Sequence, residues 1–319
     1  MKILKIIDQV LNKFGYFNLK SSNKYRYVME LYDETRTLNK IQPLVNAVID
    51  EFECEIERLD VQLTKSDNQN PKIFQYWHHG FENLPGVVKN SYQSVDYFLS
   101  EDFDIIRIEF NTLEYYINLP KHIITLIKEQ KMTIAHFSDI VRNKLLLQYG
   151  GLWLDSTVLI TGKDDINKFT SLDNRLLFSR FVFSNPKEHA VQFESWIMWS
   201  RNKGNVVYKI ADEVLNRYWS KNQNVGNYFL YHIIITIIFL KDAKFRKLFN
   251  WYDRIYVGNS FDLGRYLIFR EYNNHELQTV LQKTNIHKLD FKQDKIEKKL
   301  FGGVFFQDSF FSEILKSLK

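Results

Sequence analysis

Cysteine is nearly absent: Cys54 is the single one in 319 residues. That excludes an intramolecular disulfide framework and fits a reducing cytoplasm. Long apolar runs are also missing. The longest, Ile233 to Leu240, is too short to cross a bilayer. A secretory leader is not expected, because Asp8 interrupts the first apolar stretch and no small-residue cleavage site follows. A cytoplasmic protein is the resulting expectation. Nor is there a concentrated basic face: 43 basic and 38 acidic residues leave +5, with the two signs mixed along the chain. Nucleic-acid binding asks for a clustered excess and is not expected, whereas an anionic small ligand or membrane surface needs far less. No internal repeat and no low-complexity tract interrupts the pattern.

What the chain does have is aromatic content, 16% of residues. Sugar-binding clefts use aromatic faces, although a large core uses them more often. Met1 to Lys20 carries Ile3, Ile6, Ile7, Val10, Leu11 and Phe14 at helical spacing, flanked by lysines. A basic amphipathic helix of this kind either lies on a membrane surface or docks on its own domain. Two further helices are predicted at Tyr25 to Asn39 and Leu44 to Leu63, separated by Pro43. The run Glu51, Glu53, Glu55 and Glu57 reads as a solvated face. A polar linker at Asp67 to Asn70 places a boundary between a helical extension, 1–70, and a larger domain, 71–319.

From Lys72 onward strands and helices alternate. Strands are predicted at Lys72 to Tyr76, Asp104 to Glu109, Leu152 to Leu154, Val158 to Ile160 and Leu176 to Ser179. Helices are predicted at Val87 to Leu99, Leu113 to Ile117, Lys121 to Glu129, Thr133 to Tyr149, Glu188 to Trp199, Val206 to Trp219, Asn227 to Leu240, Glu276 to Gln282 and Ser309 to Leu318. The alternation supports an α/β architecture with a mostly parallel sheet.

The most informative stretch runs from Ser138 to Thr157. An amphipathic helix carries Asp139 and Arg142 three apart, hence on one face. Gly150 and Gly151 fit a left-handed helix cap and a close approach of backbones. Leu152 to Leu154 reads as a strand covered on both faces. Asp155 then emerges at the carboxyl edge of the sheet, where open α/β folds hold ligands. An opposite-charge pair beside a strand-end carboxylate suits a nucleotide diphosphate and its metal.

The run Ser138-Asp139-Ile140-Val141-Arg142, followed by Gly150-Gly151-Leu152-Trp153-Leu154-Asp155, resembles the sugar-nucleotide site of the capsular polysaccharide synthesis protein family. These are bacterial GT-A glycosyltransferases related to Och1-like mannosyltransferases and, more distantly, to glucosylating clostridial toxins. Pro71-Lys72-Ile73-Phe74-Gln75-Tyr76-Trp77 is similar to the family's first strand. Asn227-Tyr228-Phe229-Leu230-Tyr231-His232 is similar to a later helix, with Asn227 standing where the family usually has Asp. His287-Lys288-Leu289-Asp290-Phe291-Lys292 is similar to its C-terminal motif. The resemblance covers roughly Pro71 to Lys292 and implies a Rossmann-like GT-A domain.

It also implies roles. Asp155 is the expected metal ligand and catalytic carboxylate, holding Mn2+ or Mg2+ against the donor diphosphate, with His287 as a second candidate ligand. The position two residues after Asp155 is Thr157, a residue common there in the family resembled, and it leaves metal ligation short of one carboxylate of the usual pair. Asp139 is expected on a ribose or donor-sugar hydroxyl, and Arg142 on the donor sugar or diphosphate. Their plain alternative is an i,i+3 salt bridge on a helix surface. Ser138, Gln75, Trp77, Lys288 and Lys292 complete the expected donor site, with Trp77 stacking on the base or packing in the core. Asn227 and His232 are placed on the acceptor side. His78 and His79 read as an exposed loop pair, and Trp196 with Trp199 as one face of a helix bordering an acceptor sugar. The function implied is sugar transfer from a UDP-sugar to a lipid-linked polysaccharide repeat unit, with retention of configuration. The alternatives are a toxin-like protein glycosyltransferase and a non-catalytic nucleotide-binding scaffold, the latter kept open by Thr157.

Overall fold

The structure is a computed structural model that describes residues 23–57, 71–170, 176–180, 193–222, 226–241, 258–269 and 273–290. The stretch Met1 to Lys20, the linker Asp67 to Asn70, Lys292 and the helix expected at Ser309 to Leu318 lie outside those residues. The elements run α1 (Asn23–Glu51), α2 (Glu53–Glu57), β1 (Lys72–Tyr76), α3 (Gly86–Leu99), β2 (Asp104–Ile108), α4 (Lys121–Lys128), α5 (Ile134–Tyr149), β3 (Gly151–Leu154), β4 (Val158–Ile160), α6 (Asp164–Phe169), β5 (Leu176–Arg180), β6 (Phe193–Ser200), α7 (Val206–Lys221), α8 (Leu230–Lys241), α9 (Asp262–Phe269), α10 (Asn274–Leu281) and β7 (Ile286–Lys288).

Five strands form one sheet in the order β2-β1-β3-β6-β5. Strand β1 is parallel to both β2 and β3, β6 runs antiparallel to β3, and β5 antiparallel to β6. Four strands therefore share one direction and β6 opposes them. This is the parallel-rich α/β sheet, flanked by helices, that was expected. A second, two-stranded sheet pairs β4 with β7, Val158 facing Lys288 and Ile160 facing Ile286. It rests on its own cluster of buried side chains, including Val87, Tyr92, Leu159, Leu267 and Leu281.

Several sequence expectations fail. Pro43 does not divide two helices but lies inside α1. Ile41, Val45, Val48 and Ile49 are buried on both sides of it and join the same core as the sheet. Their packing against α7 and α8 outweighs the hydrogen bond that proline removes. The acidic run after it is not simply solvated: Glu51 accepts from Arg217 at 2.6 and 2.7 Å, and Glu55 pairs with Lys209. Secondly, the helix expected at Glu188 to Trp199 is overlapped from Phe193 onward by strand β6, Phe193–Ser200. All eight residues are buried. A strand covered on both faces shows no polar alternation, so hydrophobic period cannot separate it from a helix. Trp196 and Trp199, an odd number of positions apart, accordingly face opposite sides of the sheet.

The turn from α5 into β3 sets the site. Gly150 has φ +68°, but its ψ of −158° is extended, so it is not the left-handed cap expected. Gly151 has φ +92°, and a Cβ there would lie 2.5 Å from the Lys72 carbonyl oxygen of β1. Only glycine lets β3 come this close to β1 while turning directly out of the helix. Gly151→Ala is expected to lower the unfolding free energy by about 2 kcal/mol or more, from unfavourable φ and overpacking together. Chemical denaturation measures this; an alanine variant as stable as the parent would contradict the close-approach account.

Candidate active site

Helix α5 begins at a Thr133 cap, whose hydroxyl accepts from the His136 N–H at 3.2 Å. It is less amphipathic than expected, because strands β1, β3 and β6 and helices α7 and α8 surround it. Asp139 and Arg142 are therefore a buried pair, 4% and 6% exposed, at 3.3 Å. That rules out a surface salt bridge and raises the stakes, since a buried charge must be paired and hydrogen-bonded.

Arg142 meets this demand fully. Its Nε donates to the Ser138 carbonyl at 3.3 Å and one Nη to the Ser138 hydroxyl at 3.1 Å. The other Nη donates to the Ser195 carbonyl at 2.8 Å and also to the Ser195 hydroxyl. Asp155 lies 3.5 Å away, and the guanidinium sits 5.0 Å over the Trp153 ring. The Ser195 hydroxyl continues the network to His232 Nε2 at 3.1 Å and to Asp139.

Asp155 leaves β3 at its carboxyl end. Two residues apart on an extended strand, Trp153 and Asp155 share a face, and the indole N–H donates to Asp155 Oδ1 at 2.9 Å. Lys288 Nζ reaches Asp155 Oδ2 at 3.2 Å and donates to the Thr157 hydroxyl at 2.7 Å. Pairing of β4 with β7 explains the meeting, fixed further by the Leu289 N–H on the Thr157 carbonyl at 3.0 Å. Burial pushes Asp155 up, but Lys288, Arg142 and the indole together hold its carboxyl below the ordinary range. Asp139 goes the other way: burial and the nearby Asp155 charge outweigh Arg142 and Ser195, and it is pushed up to about 7. Burial takes His232 down to about 3, with Arg142 adding to the shift, so its ring is neutral.

These side chains open into a cleft of about 1090 Å³ at the carboxyl edge of the parallel strands, lined also by Trp77, His78, His79, Ser138 and Tyr228. A recess of about 130 Å³ adjoins it, lined by Asp139, Glu194, Ser195, Trp196, Tyr228 and His232. Asp139, Arg142, Asp155, Ser138, Trp77, Lys288 and His232 thus come together as expected. Three expected residues do not. Gln75 is buried behind the cleft, where its Oε1 accepts from Arg107 at 3.1 Å. Asn227 spends its side chain on the turn before α8, accepting from the Phe229 N–H at 2.8 Å, and its carbonyl on His136. His287 alternates with Lys288 on β7, so it faces the opposite side, fully buried, with Nε2 on the Thr161 hydroxyl at 3.0 Å. Sequence reasoning missed Ser195, hidden in the misread strand, and the partnership of Trp153 with Asp155, which their spacing in a strand foretells. It also missed Tyr228 at the mouth, 63% exposed, and treated His78 as exposed, although it packs on Phe110 and Phe137.

The sequence pattern of the capsular polysaccharide synthesis proteins matches residues 24–313. This chain belongs to that family. Among curated relatives, it is 25% identical over 158 residues to an O-glycosyltransferase, PaGT, of Phomopsis amygdali. That match spans 46% of this chain and 39% of the relative. Among solved structures, it is similar to the PaToxG glycosyltransferase, at 13% identity and a TM-score of 0.38, over 87% of this chain and 95% of the other.

The divalent cation expected in such a family member does not fit the residues present. Among the described residues, no group of three or more His, Cys, Asp or Glu side chains converges. At the expected position Asp155 has a threonine rather than a second carboxylate two residues on, and both of its oxygens are engaged by Trp153, Arg142 and Lys288. Two unit charges about 4 Å apart near a protein surface repel by about 4 kcal/mol, and a divalent ion beside the lysine by about twice that. His287 supplies no ligand from where it lies.

The buried His287 gives a prediction of its own. Burial holds it down at about 4, against an unfolded value of about 6.5. Between the two the unfolded chain binds more protons, so this contribution to stability is complete above about pH 6.5 and lost as pH falls toward 4. His287→Gln, which keeps a partner for Thr161, is expected to flatten that loss in chemical denaturation at about pH 5 and pH 7. An unchanged pH dependence would contradict it.

Proposed function

We propose that this chain is a glycosyltransferase that moves a sugar from a nucleoside-diphosphate donor, by default a UDP-sugar, to a hydroxyl of a polysaccharide repeat unit carried on a lipid. The observation that carries the reading is the cluster of Arg142 and Lys288 around Asp155 at the carboxyl edge of a parallel sheet, opening into a cleft large enough for a nucleotide sugar. Family membership and the matched O-glycosyltransferase support it.

In this reading the nucleoside enters past Trp77, whose ring offers a stacking face. The diphosphate meets Lys288 and Arg142, and the sugar occupies the recess beside Asp139 and Glu194. The bond from the sugar C1 to the diphosphate oxygen breaks, its electron pair leaving on that oxygen. The acceptor hydroxyl bonds C1 from the same face, and its proton passes to the departing diphosphate. The two cations stabilise the charge that develops there, the main contribution to rate in such transfers. Asp155 positions both of them.

A screen of UDP-glucose, UDP-galactose, their N-acetylhexosamine counterparts and GDP-mannose for hydrolysis tests the reading. One donor should be cleaved, with the released sugar retaining its anomeric configuration by NMR. Asp155→Ala should cut turnover by about 100-fold or more, the usual scale for a positioned electrostatic group, with Asp155→Asn as a milder control for folding. No cleavage of any donor together with no nucleotide-induced thermal shift would overturn it, and an inverted product would overturn retention alone.

A further inference from the structure

Three observations converge on Lys288. First, its ammonium bridges Asp155 and the residue two positions on: Nζ is 3.2 Å from Asp155 Oδ2 and 2.7 Å from Thr157 Oγ1. Those two positions are where a pair of carboxylates would clasp a divalent ion. Secondly, the second position is a hydroxyl, so the pair carries one negative charge, already faced by Lys288 and Arg142, and a divalent ion added to them would exceed it. Thirdly, Lys288 is held there by the fold. It lies on β7, paired to β4, which follows directly on Asp155 and Thr157, and the Leu289 N–H closes the ring on the Thr157 carbonyl. Its side chain remains 19% exposed and lines the main cleft.

We propose that Lys288 is the built-in cation of this site: its ammonium takes the place of the divalent metal, and the chain binds its donor diphosphate without one. This rests on the transferase reading above and adds that the counter-charge of the diphosphate comes from the protein. The lysine is a compact point charge with three donors, so it can keep its contact with Asp155 while turning another N–H toward a phosphate oxygen. Thr157 follows from the same logic. A carboxylate there would neutralise the ammonium and compete with the diphosphate for it; a hydroxyl orients the lysine and leaves the charge to the ligand.

The test is UDP binding to the full chain by calorimetry, with EDTA and with excess Mn2+, alongside the loss of the free Mn2+ EPR signal. For the native chain, UDP affinity should agree within about threefold between the two conditions, and UDP should recruit no more Mn2+ in the presence of protein than in its absence. Lys288→Met should weaken UDP binding in EDTA by about tenfold or more, the value of a charge-assisted bond to phosphate. Lys288→Arg should retain most of it, which separates loss of charge from loss of folding. Thr157→Asp combined with Lys288→Ala should create the missing site, so that Mn2+ strengthens UDP binding by about tenfold. Affinity of the native chain raised about tenfold or more by Mn2+, or a Lys288→Met chain that binds UDP in EDTA like its parent, would overturn the proposal while leaving the transferase reading standing. Failure of any nucleoside diphosphate to bind in either condition would remove both.

Discussion

The structure depends on one buried guanidinium. Arg142 ties its own helix, through Ser138 and Asp139, to strand β6 through Ser195 and to the end of β3 through Asp155. Taking such a charge out of water costs several kcal/mol, recovered only when the geometry is good and every donor is used. Here the donors are used, and the indole of Trp153 supplies a face beneath the ring. The same contacts that satisfy the arginine fix the two carboxylates beside it. Site and scaffold are therefore one network, and a change to either is felt by both.

The carboxylates receive opposite treatment from this network. Asp139 is buried with a single cation and a second carboxylate nearby, so it is pushed toward the neutral form near pH 7. Asp155 emerges between two cations and an indole N–H and is held ionised. Two acids whose environments push them apart are suited to different tasks. The neutral-leaning one can accept from or donate to a hydroxyl, and the ionised one keeps a lysine and an arginine at the cleft. The backbone geometry of Gly151 makes this possible, because it brings β3, and hence Asp155, directly off the helix that bears the other two residues.

Much of this was legible in the sequence. Asp139, Arg142 and Asp155 were readable because local facts, spacing on a helix and emergence at a strand end, coincide with the family motif that the run Ser138 to Asp155 resembles; spacing alone left the first two open to a surface salt bridge. Gly151 was readable because two adjacent glycines between a helix and a buried strand mark a close approach. What could not be read was non-local. Lys288 meets Asp155 only because β7 returns to pair with β4, so its partner is set by topology rather than by neighbours in sequence. His287 and Gln75 were misplaced for a related reason: alternation along a strand decides which side chain sees the cleft, and one position's shift reverses it. Strand β6 was misread because burial on both faces erases the period that tells strand from helix. Ser195, which bridges Arg142 and His232, was lost with it. Pro43 shows the converse, a local breaker overruled by packing on both sides.

A crystal structure of the chain with UDP bound is the most direct test of the central claim, that Arg142 and Lys288, arranged around Asp155, form a diphosphate site. The expected result is a diphosphate within hydrogen-bond distance of Lys288 Nζ, close to the Arg142 guanidinium, with the uracil beside Trp77 and the Asp155 contacts of both cations retained. UDP seated elsewhere, or held with Lys288 and Arg142 turned away from it, would contradict the claim.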